Sequence, residues 1–182
     1  MKKETIKKNH SGHSDHPDRH CIILRGSVVY LLNVLTVQTM RSINLIVIHC
    51  SATRCNKPYT VQDLETCHKA RGFNGIGYHY YVTRDGVIHP CRSESLAGAH
   101  ARRYNAHSIG VCYEGGLDEK GTPADTRTPA QKASMAHLLY SLKLDYPDAA
   151  IVGHRDLPWV RKQCPCFDAK AEYAELNNLI PS

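Results

Sequence analysis

The segment INLIVIHC, residues 43–50, most constrains the fold of this chain. It is rich in β-branched residues and apolar at consecutive rather than alternate positions. A strand with one wet face alternates apolar and polar side chains, whereas a strand apolar on both sides must be covered on both faces. The segment therefore predicts a buried central strand, and it ends on a histidine and a cysteine.

The segments that follow supply the cover. TVQDLETCHKAR (60–71) has Thr60 as a helix cap with an acid three residues on, and helical apolar spacing at Val61, Leu64 and Cys67/His68. YHYYVT (78–83), the turn RDG and VIHPC (87–91) read as a hairpin. SIGVCYEGG (108–116) reads as another strand ending in a glycine turn. In TPAQKASMAHLLYSLKLDYP (128–147), Thr128 caps, Pro129 takes the first helical position, and Gln131 completes a capping box. Met135, Leu138, Leu139 and Leu142 form the buried stripe of that helix. AAIVGH (149–154) is a short strand ending on a second histidine, an irregular loop covers 155–167, and Asp168 caps a last helix over 168–180. Strands alternating with helices, plus one hairpin, predict an α/β fold: a mixed central sheet flanked by helices in a single catalytic domain.

The net charge of +6 raises a nucleic-acid reading that its distribution weakens. Residues 1–42 carry +4 of it, and residues 43–182 only +2. Nucleic-acid binding needs a concentrated basic face, and none is visible. Eight cysteines do not imply a disulfide scaffold in a chain this long and apolar; Cys50, Cys67 and Cys112 read as small core hydrophobes in a reducing compartment.

Residues 1–40 are expected to be a non-catalytic extension, partly disordered, with 41–182 as the catalytic domain and Met40 as a possible true start. Arg25 and Asn33 interrupt the apolar stretch 21–37, which makes it a poor spanning helix and a poor signal peptide. Export or anchoring through it is the minority reading, and no stable membrane insertion is expected.

The chemistry gathers at strand ends. His49 and His154 stand at the carboxyl ends of apolar strands, where α/β sheets collect ligands. Ten residues after His154, the loop RKQCPCFD (161–168) offers Cys164 and Cys166. Two histidines and one cysteine are enough for a catalytic zinc that keeps a position open for water; both cysteines with both histidines would instead close a structural site. The residues alone also leave a disulfide or a plain loop closure open.

LIVIHCSAT, GIGYHYYVTRDG, AGAHARRYNAHSIGV, TPAQ, GHRD and KQCPCFD occur in this order. Together they closely resemble the phage-type zinc N-acetylmuramoyl-L-alanine amidases, the type-2 amidase family that includes peptidoglycan-recognition proteins. The resemblance runs from about 43 to 175. It implies one catalytic zinc held by His49, His154 and Cys164, with Tyr78 beside the metal and Lys162 at the reacting carbonyl. It implies that His100 and Asn105 line the groove for the glycan–peptide stem, and that Cys166 takes a place where relatives carry a small residue. The implied activity is hydrolysis of the amide between N-acetylmuramic acid and L-alanine of the stem peptide. Peptidoglycan or muropeptide is then the partner, and a monomer is expected, cytoplasmic until released to the wall. The general base is Tyr78 or Glu114, unless Glu114 is merely a solvated strand end. The competing function is a peptidoglycan-recognition domain that binds without cutting; such relatives typically lose a metal ligand, and here all three candidates are present.

Overall fold

The computed structural model describes residues 41–178, all within one compact unit. The expectations for residues 1–40, including export or anchoring through 21–37, lie outside the described residues. Among the described residues, no helix is long and apolar enough to cross a membrane.

In chain order the elements are β1 (Leu45–Cys50), β2 (Thr53–Arg54), α1 (Val61–Ala70), β3 (Tyr80–Val82), β4 (Ile88–Pro90), β5 (Ser108–Tyr113), β6 (Gly116–Leu117), α2 (Pro129–Asp145), β7 (Ala150–Gly153), α3 (Ala169–Glu172) and α4 (Ala174–Asn177). Five strands form one sheet in the order β4-β3-β5-β1-β7. β1 runs parallel to both β5 and β7, β3 runs parallel to β5, and only β4 is antiparallel, through the hairpin with β3. The sheet is therefore mixed, and INLIVIHC is an interior strand, as its two apolar faces require.

Alternation along β1 divides its side chains between two layers. Ile46, Ile48 and Cys50 face Met135, Leu138, Leu139 and Leu142 of α2. Val47 belongs to a second cluster, with Ala101, Val152 and Leu157. On that opposite side of the sheet Leu64 of α1 packs with Tyr81 and Cys112. His49, next along from Ile48, therefore projects away from the α2 layer.

Both long helices begin where the sequence predicts. The Thr60 side chain accepts the Asp63 N–H, and the Thr128 side chain accepts the Gln131 N–H, each completed as a capping box. Two expectations are corrected. Cys67 is exposed on α1, and His68, four residues after Leu64, takes the buried stripe instead. The single helix expected over 168–180 divides at Tyr173 into α3 and α4. Tyr173 is buried and its hydroxyl accepts from Arg127, and this anchoring turns the chain. Asn177 on α4 then pairs with the outer edge of β7, accepting the Ile151 N–H and donating to the Ile151 carbonyl.

The buried His79, just before β3, ties the hairpin to β5. Its Nδ1 accepts the Gly110 N–H at 2.9 Å, and its Nε2 lies 3.1 Å from the Leu96 carbonyl. The ring is therefore neutral, with its proton on Nε2. Burial lowers its pKa to about 4, and protonation would turn a second N–H toward Gly110. The unfolded chain thus takes up the proton first. The stabilisation is complete above about pH 6.5 and is lost as pH falls toward 4. In metal-free protein His79 alone is expected to account for about 2 kcal/mol of the stability lost between pH 7.5 and 5 in urea unfolding, with His49, His100 and His154 adding to the loss in the same direction; equal stabilities at the two pH values would contradict this account.

Candidate active site

His49 is the next-to-last residue of β1, and His154 follows β7 immediately. The register pairs Ile48 with Gly153, so both histidines continue past the same rung of the sheet. Their ring centroids stand 4.4 Å apart.

Cys164 reaches them from the loop. Its carbonyl accepts the Arg155 N–H at 2.7 Å, and the next carbonyl, of Pro165, accepts the Tyr113 hydroxyl at 2.7 Å. Gly153 permits this approach, because a Cβ there would lie 2.7 Å from Pro165 Cδ. The donor atoms of His49, His154 and Cys164 all lie within 4.8 Å of one another.

The protonation states of the three suit a cation. Burial, then the neighbouring His100 and His154, lowers the His49 pKa well below its usual value. Burial, then the charge of Lys162, lowers that of His154. Both rings are thus held neutral. For Cys164 the Cys50 thiol lowers the pKa most; burial opposes this, while the Cys50 N–H, 3.3 Å from the sulfur, assists. A cysteine that gives up its proton more readily and two neutral imidazoles are the soft and borderline donors that zinc prefers. Cys166 stands apart from this set. Its sulfur lies 3.8 Å from that of Cys50, and its backbone is left-handed, with φ of 71°. Such a conformation favours glycine and gives a physical reason for a small residue there.

Behind His49 sits His100. Its Nδ1 is 3.0 Å from His49 Nε2, and its Nε2 is 3.4 Å from Ser108 Oγ. His49 Nδ1 lies 3.8 Å from Cys164 Sγ. If Nδ1 is the ligand atom, Nε2–H donates to His100, His100 donates to Ser108, and Ser108 Oγ donates to the Tyr104 carbonyl at 2.8 Å. Every proton in this chain then has an acceptor. The ring of His100 occupies space left by two glycines: a Cβ on Gly98 or on Gly110 would lie 2.4 or 2.6 Å from its Cδ2. Asn105 fastens the same loop, its Oδ1 accepting the N–H groups of His100 and Ala101 at 2.9 and 2.8 Å. Both residues border the cavity, yet their hydrogen bonds face inward.

That cavity, about 460 Å³, opens over the three donors and includes Tyr78 and Lys162. The Tyr78 ring lies 5.0 Å from that of His49, and burial raises its pKa well above that of a free phenol. It therefore keeps its proton and can donate a hydrogen bond. Glu114 is placed differently. It is buried rather than solvated, and its two oxygens accept the N–H groups of Tyr59 and Arg84 at 2.7 and 2.8 Å. It serves as a clamp on two loops, and it borders a different cavity.

Sequence reasoning missed His68 on α1 and Arg71 and Phe73 just beyond its end, which line the site cavity together. His68 Nδ1 accepts the Gly77 N–H. The buried stripe of α1 was the available signal for His68; nothing in the spacing marked the other two. The four non-glycine residues with positive φ among those described, Ala52, Arg103, Trp159 and Cys166, all lie in or next to this region, as strained backbone at functional sites tends to.

His100→Ala is expected to weaken zinc binding about 10- to 100-fold, the usual cost of losing a group that orients a ligand histidine. Competition with a chromophoric chelator measures this; unchanged affinity would remove the orienting role.

A family model described as N-acetylmuramoyl-L-alanine amidase matches residues 39–167. The chain is 39% identical over 137 residues to an endolysin of Klebsiella phage KP32, covering 75% of this chain and 89% of that protein. It is 39% identical over 141 residues to the endolysin of Escherichia phage T7, covering 78% and 91%. Among solved structures, the N-acetylmuramoyl-L-alanine amidase LysC from Clostridium intestinale URNW is 33% identical, with a TM-score of 0.61, covering 75% of this chain and 86% of that one.

Proposed function

The chain belongs to the N-acetylmuramoyl-L-alanine amidase family, type 2, and from that membership we propose a mechanism in which His49, His154 and Cys164 hold one catalytic zinc ion. The reaction is hydrolysis of the peptidoglycan amide between N-acetylmuramic acid and L-alanine of the stem peptide. The observation that carries the site assignment is the convergence of two neutral histidines and one cysteine of lowered pKa within 4.8 Å.

Resonance makes an amide carbonyl a poor electrophile. A zinc ion held by these three residues would supply Lewis acidity toward the carbonyl and toward a water molecule. One thiolate ligand lowers the net charge of the centre from +2 to +1, which leaves more of the charge stabilisation to neighbouring side chains. Lys162, in the same cavity, places a cation where the carbonyl oxygen gains negative charge. Tyr78 offers a neutral hydroxyl donor there. Groups of this kind are each worth about 10²–10³ in rate. His100 keeps His49 in one tautomer, and Asn105 holds the loop that carries His100. Glu114 borders a different cavity, so Tyr78 is the one of the two left to steer the attacking water.

The same reading assigns the catalytic domain to 41–182. It takes the protein as a monomer that works on the wall after release from the cytoplasm.

The test is incubation of purified protein with peptidoglycan, followed by mass analysis. Stem peptides beginning at L-alanine are expected, abolished by a chelator and restored by zinc. New reducing sugar ends without free stem peptides would overturn the reading.

A further inference from the structure

A second cavity, about 440 Å³, adjoins the metal-site cavity. Ala101, Arg102 and His154 line both, and His154 stands as the partition, with a donor set on one side and a groove on the other. One wall of the groove is the Ala101–Tyr104 loop; the other is Leu157 to Val160. Trp159, the single tryptophan of the chain, lies on this second wall and is 87% exposed. Water contact over that much indole is unfavourable, and its backbone is left-handed as well, with φ of 72°. On the facing wall Arg103 has φ of 74°. Non-glycine residues rarely adopt this conformation, and here both walls carry one.

We infer that this groove is a saccharide subsite, in which Trp159 stacks on the face of an N-acetylated sugar on the glycan side of the scissile bond. The inference rests on the amidase reading, because it takes the scissile amide to sit at His49, His154 and Cys164. The two halves of that substrate then extend to either side of the centre, and they differ in chemistry. The glycan half has neutral sugar rings with apolar C–H faces, hydroxyls and acetamido groups. The peptide half ends in free carboxylates. The groove offers a flat aromatic surface over an apolar floor of Ala101, Leu157 and Val160, with guanidinium donors at its rim. An amphipathic ring fits such a surface. The metal-site cavity, with Arg71, Arg102 and Lys162, is the more cationic of the two and suits the carboxylates.

The single tryptophan makes the test direct. Zinc-loaded protein is titrated with the peptide-free disaccharide N-acetylglucosaminyl-N-acetylmuramic acid while tryptophan emission is followed, and separately with a free stem tetrapeptide. A blue shift with the disaccharide and none with the tetrapeptide is expected. A shift with the tetrapeptide alone, or with neither, overturns the inference. Trp159→Ala is expected to raise KM about five- to tenfold on a disaccharide-bearing muropeptide, with kcat little changed; an unchanged KM also overturns it. Because the titration needs no cleavage, a sugar response in a protein that releases no stem peptide would defeat the amidase reading while leaving the subsite intact.

Discussion

Replacing Cys164 by serine is expected to empty the metal site and lower amide hydrolysis by at least about 10³-fold, the several kcal/mol that a Lewis acid contributes. A hydroxyl of ordinary pKa does not ionise at neutral pH, so the variant loses the thiolate and with it the softest of three donors. The informative control is two residues away. Cys166→Ser is expected to keep both zinc and activity, because the Cys166 sulfur faces Cys50 and lies outside the group formed by His49, His154 and Cys164. Metal analysis by mass spectrometry on the two variants, with circular dichroism to check folding, separates the alternatives. Loss of zinc in Cys166→Ser would point to a closed four-ligand site, which has no room for a reacting water.

Lys162→Ala is expected to lower kcat by about 10²–10³ with zinc content unchanged. Lys162 is exposed on the cavity rim, and its charge lowers the pKa values of His49 and His154. In the proposed mechanism it acts on the developing oxyanion and donates nothing to the metal. Steady-state kinetics on a soluble muropeptide, alongside metal analysis, checks both halves of the expectation. A variant that loses zinc, or one that loses only KM, would remove the role.

The meeting of His49 and His154 was legible in the sequence for a simple reason. A strand apolar on both faces has to lie inside the sheet, and a histidine at its end has to emerge where ligands collect. His49 and His154 obey that rule separately, and their pairing needed only parallel neighbours. Thr60 and Thr128 were legible because a cap is decided by three or four consecutive residues. The role of His100 was not, because it depends on residues brought together across the fold. Its bond to His49 spans 51 positions, and its space exists only because Gly98 and Gly110 lack side chains. Glu114 was misread for a similar reason. A strand-end acid is usually solvated, but two distant loops here bring N–H groups to it. The division of the last helix at Tyr173 was also invisible, since the anchoring Arg127 lies 46 positions away.

The side chain of Asn177 has a consequence at the level of whole molecules in solution. By matching both the N–H and the carbonyl of Ile151, one amide stands in for a neighbouring strand along the outer edge of β7. At the other margin of the sheet, β4 is three residues long and ends in Pro90, which has no N–H to offer. Open sheet edges are templates on which a second molecule can add its own strand and seed aggregates. Here one margin is occupied and the other is short and blunted, so the described sheet gives a crowded population of identical chains little on which to begin a fibre.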